Sequence, residues 1–170
     1  MTIARPRSWR RRVGWSVLWT AAVIAQAWVW VAVRPKVHAT SDDGMGSYAE
    51  RSHLQVFGAD ITFMLITGAV ALLAVVVTVA LRRGRPLLPS QILLGAAASM
   101  MTSVAVMRVA PLLDSVSRGT GQPFPPARLP AGASVIEPVR LHAYGSLLAG
   151  AVCWLGALML AAAVRPREPR

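Results

Sequence analysis

Long apolar runs alternate with charged or proline-rich segments along this chain. Residues 14–33 form the first run and contain no charge. At about 1.5 Å of rise per residue, a helix of that length matches the roughly 30 Å hydrocarbon core of a bilayer. The same pattern predicts three further spans, at 57–81, 89–113 and 141–164. The second and third are joined by the basic turn Leu81-Arg82-Arg83-Gly84-Arg85-Pro86 and read as a transmembrane hairpin. Trp15 and Trp19 lie near the start of the first run, and Trp28 and Trp30 near its end. Amphipathic rings settle at those two headgroup levels, so all four are expected to be interfacial anchors. The predicted fold is all-α: one integral membrane domain over residues 1–170 with four transmembrane helices.

The first run also imitates a signal peptide, with an Arg-rich start and the small-residue ending Val37-His38-Ala39. It is longer than the usual apolar region of about 7 to 15 residues, and bulky Trp28 and Trp30 sit at its far end. An uncleaved anchor is therefore expected.

Composition supports a membrane class. The chain of 170 residues is 55% hydrophobic, with a mean hydropathy of +0.51. A soluble domain is usually about 45 to 50% apolar. A net charge of +11 would ordinarily raise nucleic acid as a partner, but the Arg residues cluster at the ends of the apolar runs, as a bilayer sorts them. Nucleic acid is not expected. Residues 1–13, 82–87 and 165–170 hold 11 of the 18 Lys and Arg, whereas 34–56 and 114–140, together about twice as long, hold 6. That asymmetry predicts both termini on the cytoplasmic side of the inner (plasma) membrane. Cys153 is the sole cysteine, which excludes an internal disulfide and a CxxC redox pair.

The two remaining segments are read as external loops. In 34–56 three acids balance three bases. His38, Asp42, Asp43 and His53 are of the right type for zinc and its neighbours, but their spacing fits no ligand pattern, and a solvated loop without metal is expected. Residues 114–140 are rich in Pro and Gly and predict an extended segment. Gly119 and Gly121 lack the preceding strand and the Gly-Lys-Ser/Thr of a phosphate loop.

Polar residues within the spans carry what functional information there is. Asp60 lies three residues into the second span, Arg108 near the far end of the third, and His142 at the start of the fourth. Antiparallel helices place Asp60 and Arg108 at similar depth. They could form an ion pair across the hairpin, or Arg108 could snorkel to the headgroups beside a hydrated Asp60, or the three residues could serve transport. Gln26 is the one strongly polar side chain of the first span and is expected to bond a neighbouring helix. Stepping along the second span from Asp60 gives Met64, Thr67, Ala71, Ala74 and Thr78, a narrow stripe expected to face protein. Gly95, Ser99 and Ser103, Gly145 with Ala149, and Ser146 with Gly150 form small-residue rows suited to close helix packing. Ser99 and Arg108 are on opposite sides of their helix at about 100° per residue, so the two cannot face one neighbour.

The Asp at the start of the second span, the Arg-Arg-Gly-Arg-Pro turn, and Met107-Arg108-Val109 before Pro111-Leu112-Leu113 resemble a family of small four-span membrane proteins of unknown function from high-GC Gram-positive bacteria. The resemblance covers about a third of the chain. It implies a four-helix membrane protein with a polar external loop after the first span, and it supplies no activity, cofactor or catalytic residue.

Known four-span chemistries are tested by what they require. Quinone-linked disulfide enzymes need paired cysteines. Small multidrug exporters centre on a membrane-embedded Glu in the first span, where this chain has Gln26. Intramembrane serine proteolysis needs a deep Ser and His pair, and His142 is at an edge. The expectation is therefore a non-enzymatic accessory or structural component of a membrane complex, without cofactor. Its partners would be the lipid bilayer and other membrane subunits or a second copy, met through the small-residue rows and external loops. The alternative is a small transporter or proton-coupled carrier working through Asp60, Arg108 and His142.

Overall fold

Backbone amides and carbonyls find no water in hydrocarbon, so an apolar run crossing it must satisfy them internally, here as helix. The computed structural model describes residues 7–36, 38–42, 45–47, 50–82, 88–118, 134–137 and 139–164. Its four long helices are α1 (Arg7–Val33), α2 (Glu50–Leu81), α3 (Pro89–Arg118) and α4 (Ala149–Val164), the last preceded by a 3-10 turn, Tyr144–Leu148. Within them Arg12–Val33, His53–Leu81, Pro89–Ser117 and Tyr144–Ala162 are long and apolar enough to cross a membrane. Leu65, Leu73, Val76, Leu94, Met101, Leu112 and Met159 are all exposed. So broad an apolar exterior belongs against lipid, and the architecture is that of a multi-pass membrane protein.

Strands β1 (His38–Asp42), β2 (Met45–Ser47) and β3 (Ser134–Ile136) form an antiparallel sheet in the order β2-β1-β3. Thr40 pairs with Ser47 on one side of β1, and His38 with Ile136 on the other. The solvated and extended loops expected from the sequence are thus tied together at one end of the bundle, the sheet end; the opposite end, toward residue 82, is the turn end. Boundaries shift accordingly. α2 begins at Glu50 rather than 57, and α3 runs to Arg118 rather than 113, keeping Pro111 inside the helix. Residues 141–143, expected to open the fourth span, are not helical.

The helices form a ring in which α1 packs on α3, α3 on α4, and α4 on α2. α2 and α3, consecutive in sequence, hardly touch, so the pair does not pack as the expected hairpin. Glycines sit at several helix contacts. At Gly95 of α3 an added Cβ would collide with ring carbons of Trp154, and at Gly150 of α4 one would lie 3.6 Å from the Thr67 carbonyl and 3.5 Å from Ser103 Oγ. α1 and α2 meet toward the sheet end, where Trp30 stacks edge-on against Phe63 at 4.8 Å and 64°. The Trp30 indole N–H donates to the Ala59 carbonyl at 3.2 Å. Trp30 is therefore a core residue with 1% exposure, not an anchor, while Trp15, Trp19 and Trp28 are exposed.

The inward side of α2 is also displaced from the expected stripe. Asp60, Phe63, Thr67, Ala71 and Val75 are buried, whereas Met64 and Ala74 are exposed. Thr67 and Ala71 of that stripe face inward as expected, joined by bulky Phe63 and Val75 in place of Met64 and Ala74.

Candidate functional site: a buried ionic cluster at the sheet end

α1 ends where its uncharged run meets Arg34, and α3 carries Asp114 four residues before its last residue, Arg118. Both side chains turn into the sheet end of the bundle, where Arg34 is 8% and Asp114 5% exposed. Arg34 Nη2 lies 3.6 Å from Asp114 Oδ2 and donates to the Glu137 carbonyl at 3.0 Å. The Val139 N–H donates to Asp114 Oδ2 at 2.9 Å. The segment around 137–143 is thereby fastened across the ends of α1 and α3.

Asp60 of α2 completes the fastening. Its Oδ1 accepts the His142 N–H at 3.1 Å and its Oδ2 the Ala143 N–H at 2.8 Å. Ala143 is the residue before the 3-10 turn, and its carbonyl accepts the Ser146 N–H at 2.9 Å. The first amides of a helical segment have no partner within it, and negative charge is favoured there. A carboxylate from another helix thus holds the two amides that lead into the fourth span. His142 bridges two acids, with Nδ1 3.9 Å from Asp60 Oδ1 and Nε2 3.5 Å from Glu137 Oε1. The cluster sets three carboxylates, Asp60, Asp114 and the 1% exposed Glu137, around the guanidinium of Arg34 and the imidazole of His142.

The structure brings Asp60 and His142 together and leaves Arg108 out. Arg108 is exposed and bonds to none of the described residues. The cross-hairpin pair is absent because α2 and α3 are on different sides of the ring, and the Asp60 oxygens are occupied by backbone amides. The row Gly95, Ser99 and Ser103 faces α4, with Gly95 under Trp154 and the two serines beside Gly150. Arg108 consequently points away from α4, as the half-turn between it and Ser99 requires. Gly145 is exposed, and a Cβ there would meet nothing within 4 Å. It does not pack closely because 144–148 is a 3-10 turn; Ser146 and Gly150 turn inward instead, with Ala149 half-buried. Gln26 is buried but its Oε1 finds no donor, so the expected interhelical bond is not made to any described residue.

Arg34, Asp114 and Glu137 were not legible as site residues. Arg34 and Asp114 stand at the ends of apolar runs, where hydration is the ordinary state, and Glu137 reaches the cluster only through the path of the loop. The available signal was their common level beside Asp60 and His142. Among the described residues no three His, Cys, Asp or Glu side chains are grouped to hold a metal ion. The side chains of His38, Asp42 and Asp43, the residues of the basic turn from 83 to 87, and residues 119–133 lie outside the described set. Comparison with family models, with curated proteins and with solved structures finds no match to the chain.

Proposed function

We propose that this chain is an accessory subunit of the bacterial inner membrane, with both termini cytoplasmic, that holds another membrane protein through the outward face of α3. The observation carrying this reading is Arg108, which is exposed on a membrane-spanning helix without a partner among the described residues. It lies six residues from Asp114, about 9 Å along the helix. A guanidinium held toward lipid is costly, by up to about 2.5 to 3.5 kcal/mol at the bilayer centre and less near an edge. A carboxylate on a neighbouring helix at matched depth offsets that cost. Met101 and Leu112 on the same exposed side offer apolar contact around the charge. The row Gly95, Ser99 and Ser103 is engaged within the bundle by Trp154 and Gly150, which favours the charged outward face of α3 over that row as the recognition surface.

The carrier reading is less well supported. A proton carrier needs a carboxylate free to exchange partners, and both oxygens of Asp60 bind main-chain amides. Purification from native membranes in mild detergent, with quantitative mass spectrometry, tests the proposal. Wild type is expected to bring a stoichiometric membrane partner that R108L loses while retaining its own fold. Isolation of wild type alone, or equal recovery of the partner with R108L, contradicts it.

A further inference from the structure

A cavity of about 380 Å³ lies between α1 and α2 and reaches α3 and α4, within the roughly 300–1,000 Å³ of small-molecule sites. Trp15, Leu18 and Val70 on its wall are exposed, so it opens sideways onto hydrocarbon. Among the described residues no charged side chain lines it. Most of its polar groups already have partners. Trp19 donates its indole N–H to Thr102 Oγ1 at 3.0 Å, and Trp154 to the Ile92 carbonyl at 3.1 Å. The hydroxyls of Thr67, Thr78, Thr102 and Ser103 donate to carbonyls of their own helices.

Gln26 differs from these. It is 5% exposed, forms part of the wall, and its amide bonds to none of the described residues, with Oε1 buried and lacking a donor. A buried amide without a partner is costly. Turning the amide over exchanges its oxygen and nitrogen, so the group met by a ligand is a donor or an acceptor. A hydroxyl is both, and pairs with whichever end of the Gln26 amide faces the cavity. A single water would do the same but occupies only about 30 Å³. The described wall residues offer no counter-ion to a phosphate, carboxylate or amine. Gln26 also lies eight residues from Arg34, about 12 Å along α1 and too deep for a charged headgroup.

We propose that the cavity binds a neutral lipid with a single hydroxyl, the hydroxyl bonded to Gln26 and the chain lying on the indole faces of Trp15, Trp19 and Trp154. The probe is a dibrominated stearyl alcohol, whose bromines quench indole fluorescence on contact, added to the full chain in phosphatidylcholine nanodiscs. The control is the dibrominated alkane of equal length. In wild type the alcohol is expected to quench saturably, at a mole fraction about tenfold below that needed for the alkane. Q26M, which replaces the amide with an apolar side chain of similar length, should keep the fold and abolish the tenfold difference. A98F, which places a ring on the cavity wall, should remove saturable quenching by both probes. Matching curves for alcohol and alkane in wild type would show annular contact or a hydrocarbon-only slot and overturn the proposal. Persistence of the alcohol preference in Q26M would overturn it as well.

Discussion

Asp60 shows how much one side chain's meaning depends on atoms the sequence does not place. Its cost in an apolar run marks it as needing a reason, and Arg108 is the nearest opposite charge by depth. The partners are instead the amides of His142 and Ala143, groups that every residue carries and no residue type announces. D60A should therefore cost about 2–4 kcal/mol by orphaning both amides, with D60N losing about 1–2 because one acceptor oxygen remains. Reversible unfolding in mixed micelles, followed by circular dichroism, measures both, and a D60A protein as stable as wild type would refute the anchoring role. Trp30 was legible as an aromatic near a membrane boundary but not as a core residue, since burial depends on which neighbour α1 meets. W30F keeps the edge-on contact with Phe63 and loses the bond to the Ala59 carbonyl. A loss of about 1 kcal/mol is expected in the same assay.

At the scale of elements, hydropathy located all four helices because hydrocarbon constrains length and polarity so strongly. It did not fix their ends. α4 starts late because the amides of His142 and Ala143 are held by Asp60, an interaction across sequence. The sheet was illegible for a related reason: β1 and β3 are nearly a hundred residues apart, and His-Ala-Thr-Ser-Asp has no apolar alternation to announce a strand. The small-residue row of α3 was legible as a close-packing surface, and its companion is Trp154 of α4. G95A should lose about 1–3 kcal/mol through overpacking. W154L in the same chain should recover much of that loss, giving a favourable coupling in a double-mutant cycle. Simple additivity of the two substitutions would mean that Gly95 and Trp154 do not meet. G145A, with open space around it, should lie within about 0.5 kcal/mol of wild type.

For the whole molecule, the ring order separates two kinds of charge. Arg34, Asp60, Asp114 and Glu137 are buried and, with the more exposed His142, bind the loop to the helix ends, while Arg108 is turned outward. Sequence alone could state that Ser99 and Arg108 face opposite ways, but it could not say which faced inward. The proposed function puts a protein partner on the outward face of α3. Photo-crosslinking in native membranes, with a benzophenone amino acid placed in turn at Met101, Leu112 and, as a control on α2, Val76, tests it most directly. Crosslinks to one protein from Met101 and Leu112, absent from Val76 and abolished by R108L, are the predicted result. Crosslinks to lipid alone from all three positions, or a protein adduct unaffected by R108L, would contradict the account.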